Sequence, residues 1–276
     1  MTDWLGVCRD AAAAVARVLD ELPTRAEREP RVGAGKGGDD TTAVDLAAER
    51  AVVGRLEQEA AAGCGFTLLS EELGERVFGD GGGGVHVVCD PIDGSVNAKR
   101  GIPFFSLSLA VASGPRLGDV ELGFVHDFGT GEEWVARRGG GALLNGRPLA
   151  GPGPKEAVEI LSLEATRTDS VAERVGGLVG FAQRTRIMGS LALSLCHLAA
   201  GRVDAVCSLK RARSVDIAAA QLLVLERGLV IDLPDDPPFA EAALDLGARS
   251  RVVAAATPEL CSELWSRLTR GPEEPK

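Results

Sequence analysis

The junction between Val85-His86-Val87-Val88-Cys89 and Asp90-Pro91-Ile92-Asp93-Gly94-Ser95 restricts this chain more than any other stretch. The first five residues read as a short buried strand by their β-branched content, which puts Asp90 at the strand exit. Two carboxylates, a proline without a backbone N–H and a glycine-hydroxyl pair then arrive together where loops commonly carry function. The fold must bury the strand and keep its carboxyl end accessible.

Around this junction the pattern alternates between helix and strand. Trp4, Val7, Cys8, Ala11, Val15, Val18, Leu19 and Leu22 recur at helical spacing, predicting a helix over residues 3–22 that stops at Pro23. A second helix carries Val44, Ala47, Ala48, Ala51, Val52 and Leu56 inward, with Thr41 or Thr42 as its cap and Asp45 in its first turn. Phe66–Leu69 makes a brief strand into Ser70-Glu71-Glu72, and Gly79–Gly84 a flexible loop. Phe104–Val111 alternates as a half-exposed strand should, with further strands at Leu122–Phe124 and Glu133–Ala136. Gly151-Pro152-Gly153-Pro154 is the best boundary, dividing an α+β half (1–150) from an α/β half (151–276). The second half reads as strand Leu161–Leu163, helix Ser190–Ala200, strand Val203–Leu209, helix Val215–Arg227, and strands Leu229–Leu233 and Val252–Ala256. A last helix opens at Thr257-Pro258.

Composition narrows the function classes. The 276 residues carry 30 basic and 40 acidic side chains, a net charge of −10, which argues against holding nucleic acid on a broadly basic surface. No apolar run reaches the roughly 18 residues of a membrane helix, and Asp3 and Asp10 stand where a signal peptide would be basic. A cytoplasmic location is expected. The six cysteines form no C-x-x-C pair and read as reduced core residues.

Phosphate-ester hydrolysis needs cations that polarise the phosphoryl group, lower the pKa of a water and neutralise the leaving alkoxide. Magnesium takes oxygen ligands, so a few carboxylates can hold more than one ion. The candidates are Glu71, Asp90, Asp93 and Asp216, with Asp45 near them and the Ile92 carbonyl as a further oxygen. Gly94 and Ser95 can donate to phosphate oxygens. Gly189-Ser190, with Arg186 upstream, offers a second anion site at a helix start.

Together these residues resemble the inositol monophosphatase superfamily, the lithium-sensitive magnesium-dependent phosphatases, whose signature is D-P-[IL]-D-G-[ST]-x-N. Here it stands as Asp90-Pro91-Ile92-Asp93-Gly94-Ser95-Val96-Asn97, with Gly38-Asp39-Asp40-Thr41-Thr42-Ala43-Val44-Asp45, Ser70-Glu71-Glu72 and Val215-Asp216-Ile217-Ala218-Ala219 in order around it. Asn97–Pro103 and Arg186–Ser190 are phrased as in the archaeal-type enzymes that act on both inositol monophosphate and fructose 1,6-bisphosphate. The resemblance implies a layered αβαβα sandwich, commonly a dimer. It implies two or three Mg²⁺ held by Glu71, Asp90, the Ile92 carbonyl, Asp93 and Asp216. Asp45 and Ser95 would orient the attacking water, with Glu71 also catalytic, and Asp93, Gly94, Ser95, Arg186, Ser190 and Leu191 would hold substrate.

Three departures bear on substrate. Ser95 replaces the usual threonine, Val215 the usual tryptophan, and Leu209 the acidic residue that receives an inositol hydroxyl in animal enzymes. In place of that acid, Lys210-Arg211-Ala212-Arg213 could reach a second phosphate, with Lys210 and Arg213 as substrate contacts. Gly33–Gly37 lacks the full P-loop pattern, and no serine elbow accompanies His86, His126 or His197. The expectation is a magnesium-dependent phosphomonoesterase working through metal-activated water on an inositol or sugar phosphate. Its rivals are the same chemistry on 3′-phosphoadenosine 5′-phosphate or histidinol phosphate, and a non-catalytic regulatory descendant of the fold.

Overall fold

Three apolar clusters separate five layers in the computed structural model, which describes residues 2–36, 40–79, 84–149, 155, 157–164, 167–235 and 238–269. The outermost layer pairs α1 (Trp4–Glu21) with α3 (Ala43–Ala61), followed in space by a large sheet. Short α2 (Arg25–Arg28), β1 (Arg31–Ala34) and β2 (Asp40–Thr42) connect the two helices, β1 and β2 forming an antiparallel ribbon. The large sheet is built from β3 (Phe66–Ser70), β4 (Gly74–Phe78), β5 (His86–Asp93), β6 (Ser106–Ala112), β7 (Val120–Asp127), β8 (Glu133–Arg137), β9 (Gly141–Leu144) and β10 (Arg147–Pro148). Its order is β10-β9-β8-β7-β6-β5-β3-β4, antiparallel except where β3 meets β5. One-turn α4 (Ser95–Arg100) follows β5 directly.

The second sheet holds β11 (Val158–Glu164), β12 (Ala182–Arg186), β13 (Ala205–Ser208), β14 (Val230–Asp232) and β15 (Val253–Ala255) in the order β12-β11-β13-β15-β14. Between the sheets lie α6 (Leu191–Ala199), α7 (Ser214–Ile217) and α8 (Ala220–Glu226), whose apolar residues join Val88, Trp134, Val206 and Ala254 in one core. On the far face α9 (Pro258–Thr269) brings Cys261, Leu264 and Leu268 against the second sheet, with α5 (Thr168–Arg174) beside it. This is the αβαβα sandwich expected from the resemblance.

Several expectations are corrected. The β5 strand does not end at Cys89 but continues to Asp93, with its pairing to β6 shifted between Asp90 and Asp93. Pro91 has no N–H to give the ladder, so the irregularity falls where the chemistry is. Nor is β6 half-exposed: all seven residues are buried, Leu107, Leu109 and Val111 facing α1 and α3, Ala110 and Ala112 facing the middle layer. The alternation there records large against small on two buried faces. The helix expected over Val215–Arg227 is two helices broken at Ala218–Ala219. Gly33 and Ala34 sit in the β1 strand. The Gly151–Pro154 boundary, Gly38-Asp39 and most of the Gly79–Gly84 loop lie outside the described residues. The six cysteines are free, five of them buried.

Candidate active site

The five predicted carboxylates, Asp45, Glu71, Asp90, Asp93 and Asp216, converge from four segments on one cleft of about 420 Å³ where β5, α3 and α7 meet, and Asp40, Glu72 and Glu164 line it too. Four of the five are pinned in the same way, each giving an oxygen to a nearby backbone N–H. Asp45 Oδ2 accepts from the Thr42 N–H at 3.0 Å and its hydroxyl at 2.6 Å, closing the capping box of α3. Asp216 Oδ2 accepts from the Arg213 N–H at 2.8 Å at the start of α7. Asp90 Oδ1 accepts from the Ile92 N–H at 3.0 Å, across the proline turn. Asp93 Oδ2 takes the Ala192 N–H at 2.8 Å and the Ser190 hydroxyl, bridging to the N-terminus of α6. Helix starts and a broken strand thus fix the acids before any ligand arrives. Glu71, just past β3, is held instead by Arg213, whose Nη2 lies 2.5 Å from Glu71 Oε1 and 3.1 Å from Asp216 Oδ1.

Crowding so many acids has an electrostatic cost. Burial raises Asp90 well above the usual carboxylate range, helped by Glu71, Asp93 and Asp216. Burial likewise lifts Glu71 to about 8 against the pull of Arg213, and Asp93 to about 7 despite the Ser190 hydrogen bond. Burial opposes the charge of Arg213, yet the carboxylates of Asp216, Glu71 and Asp90 outweigh it and raise its pKa further. One oxygen each of Glu71, Asp90 and Asp216 lies within 4.8 Å of the others. Asp45 Oδ1 is buried without a hydrogen-bond partner. An all-oxygen, strongly acidic donor set of this kind fits a hard divalent cation.

The other predicted residues divide. Gly94, Ser95, Leu191 and Lys210 line the cleft beside Asp45, Glu71, Asp90, Asp93, Arg213 and Asp216. Gly94 caps α4 at φ +96°, and a Cβ there would stand 3.1 Å from both the Gly189 and Phe104 carbonyl oxygens. The Ser95 hydroxyl donates to the Ile92 carbonyl at 3.0 Å, so two predicted groups are bonded to each other. Ser190 is buried behind the cleft, its hydroxyl spent on Asp93. Arg186 is displaced: it ends the edge strand β12, bonds the Thr185 carbonyl, and lines a smaller neighbouring cavity with Arg202 and His197. The basic cluster also divides, since Arg211 faces Asp235 at 3.7 Å while Arg213 is buried among the acids.

Besides Asp40 and Glu72 on the cleft wall, three contributors were not singled out from the sequence. Lys99 lines the cleft one helical turn after Ser95, on the same face of α4. Glu164, at the end of β11, also lines it and takes the Gly189 N–H at 2.9 Å and the Ser194 hydroxyl at 2.7 Å. A lone acid closing the apolar run Leu161-Ser162-Leu163 was the available signal. Asn97, the last signature residue, donates to the Phe104 and Met188 carbonyls, both at 2.8 Å, tying α4 to the loop before α6.

Comparison with known proteins agrees with this geometry. The model of the inositol monophosphatase family matches residues 4–269. A fructose-1,6-bisphosphatase/inositol-1-monophosphatase of Methanothermobacter thermautotrophicus is 34% identical over 274 residues, 96% of each chain. The Nus factor SuhB of Salmonella typhimurium is 32% identical over 245 residues, 85% of this chain and 88% of its own. Among solved structures, an inositol monophosphatase–fructose 1,6-bisphosphatase superposes with a TM-score of 0.82 at 26% identity, covering 97% of this chain and 100% of that one. With its carboxylate cleft, its layered sandwich and a family match running from the first helix to the last, this chain belongs to the inositol monophosphatase family.

Proposed function

We propose that this chain is a phosphatase that hydrolyses the phosphomonoesters of small polyols, with inositol monophosphate, fructose 1,6-bisphosphate or both as its substrates. The observation that carries this reading is the convergence of the Glu71, Asp90 and Asp216 oxygens within 4.8 Å beside the helix-capped Asp45 and Asp93. Glu71, Asp90, the Ile92 carbonyl, Asp93 and Asp216 would hold Mg²⁺, two or three ions per site. Such ions supply polarisation of the phosphoryl group and activation of a water. Asp45, with Oδ2 anchored and Oδ1 unengaged, is suited to take a proton from the attacking water. The Ser95 hydroxyl helps orient that water. Gly94 and Leu191, the latter at the start of α6, line the cleft, and their backbone N–H groups would serve the phosphate oxygens.

Lys210 and Lys99, both on the cleft wall, are placed to meet the second phosphate of a bisphosphate. No helix among the described residues is long and apolar enough to cross a membrane. We place the protein in the cytoplasm as a lithium-sensitive homodimer that binds neither membrane nor nucleic acid. Residues 1–150 supply most metal ligands, and residues 151–276 supply Asp216.

The test is phosphate release from inositol 1-phosphate, fructose 1,6-bisphosphate, 3′-phosphoadenosine 5′-phosphate and histidinol phosphate, each with Mg²⁺. Turnover of one of the first two is expected. Turnover confined to the last two would move the substrate elsewhere within the same chemistry. The likeness to SuhB, named as a Nus factor, favours a regulatory second reading. Metal binding with no turnover on the whole panel would select it.

A further inference from the structure

Glu71 differs from Asp45, Asp90, Asp93 and Asp216 in being restrained by a cation instead of a backbone N–H. The Arg213 side chain is 5% exposed, and its Nη2 reaches Glu71 Oε1 at 2.5 Å and Asp216 Oδ1 at 3.1 Å. These two residues, with Asp90, supply the oxygens that lie within 4.8 Å of one another. The guanidinium therefore uses the very carboxylates that a divalent ion needs. A magnesium ion draws its ligands to about 2.0–2.1 Å and tolerates little distortion, whereas a guanidinium holds the same oxygens at hydrogen-bond length. Two cations sharing one buried carboxylate pair also repel in a region that screens poorly.

We propose that Arg213 is the resident counter-ion of the metal-free cleft, and that its contact with Glu71 and Asp216 and the binding of a divalent cation exclude one another. This rests on reading the cleft as a metal site. Arg213 is the N-cap of α7, and its N–H is fixed on Asp216 Oδ2. The exchange then requires only rotation of a long side chain about a fixed backbone. Two consequences follow from one geometry: the acids are neutralised enough for the free protein to stay folded, and metal affinity is lowered by the energy needed to expel the guanidinium.

The test titrates Mg²⁺ alone, by calorimetry, into the full wild-type chain and into Arg213→Gln, and records thermal midpoints with and without the ion. Arg213→Gln is expected to bind Mg²⁺ at least tenfold more tightly. Its metal-free midpoint should fall, and its gain on adding Mg²⁺ should exceed that of the wild type. Unchanged or weaker binding would overturn the proposal, because it would make Arg213 a bystander or a supporting partner of the bound ion. Should the variant fail to fold, a crystal structure of the wild type saturated with Mn²⁺ decides: a broken Arg213–Glu71 contact supports exclusion, a retained one refutes it. A wild type that binds no Mg²⁺ at all removes the metal-site reading and this proposal with it, whereas wild-type binding unaltered by the substitution removes only the role of Arg213.

Discussion

At the scale of single residues, this protein spends its unusual chemistry on acids that water no longer solvates. Glu49 on α3 shows this outside the cleft: burial lifts it to about 7 from an ordinary 4.5, only partly offset by the Ser70 hydroxyl, which donates at 2.7 Å. Between those two values the folded chain keeps a proton that the unfolded chain releases, so stability falls as pH rises through that window. The penalty is absent below about 4.5 and complete above about 7, worth roughly 3 kcal/mol on the scale of 1.36 kcal/mol per pKa unit. Glu49→Gln keeps the acceptor for Ser70 and removes the ionisation. Thermal melts should find it more stable than wild type at pH 8 and indistinguishable near pH 4, while an equal offset at both pH values would contradict the assignment.

At the scale of elements, the cleft depends on how closely layers approach. Gly123 in β7 lies under the break between α7 and α8, where a Cβ would come 2.2 Å from the Ala219 carbonyl oxygen. Gly123→Ala must push α7 and its Asp216 away from the sheet, an overpacking cost of about 1–3 kcal/mol. A lowered denaturation midpoint together with reduced turnover is expected, and a wild-type midpoint would refute the close approach. The elements that could be read from sequence were helices with a one-sided apolar period, such as α1 and α9, and apolar interior strands, such as β5, β7 and β13. The edge strands β4 and β12 were not: Gly-Glu-Arg-Val-Phe and Ala-Gln-Arg-Thr-Arg carry the charges that keep sheet edges from pairing, and those charges erase the strand pattern. Arg186, at the end of β12, lines a separate cavity with Arg202 and His197. The cleft acids were legible because each sits at a helix start or strand end with a recognisable local pattern. Arg213 was legible only as a charge, because its burial between Glu71 and Asp216 depends on two distant segments meeting.

At the scale of the whole molecule, the middle apolar layer draws on both halves of the chain, with Leu69, Val88, Val125 and Trp134 packed among residues of α6, α7 and α8. Asp93 bridges the same halves through Ala192 and Ser190. Neither half can bury its face of that layer alone. Residues 155–276 expressed by themselves should therefore show no cooperative unfolding transition, and a sharp melt of that fragment would argue for two independent domains. Metal dependence belongs to the same scale, because the acids come from both sides of the layer. The central claim is that these acids form one metal-dependent hydrolytic site. Its most direct test is the initial rate of phosphate release from inositol 1-phosphate and fructose 1,6-bisphosphate, measured in EDTA and across a Mg²⁺ titration for wild type and Asp90→Asn. Release that is absent in EDTA, restored by Mg²⁺ and at least about 100-fold slower in the variant is the expected result; equal rates in EDTA, or wild-type rates in Asp90→Asn, would contradict it.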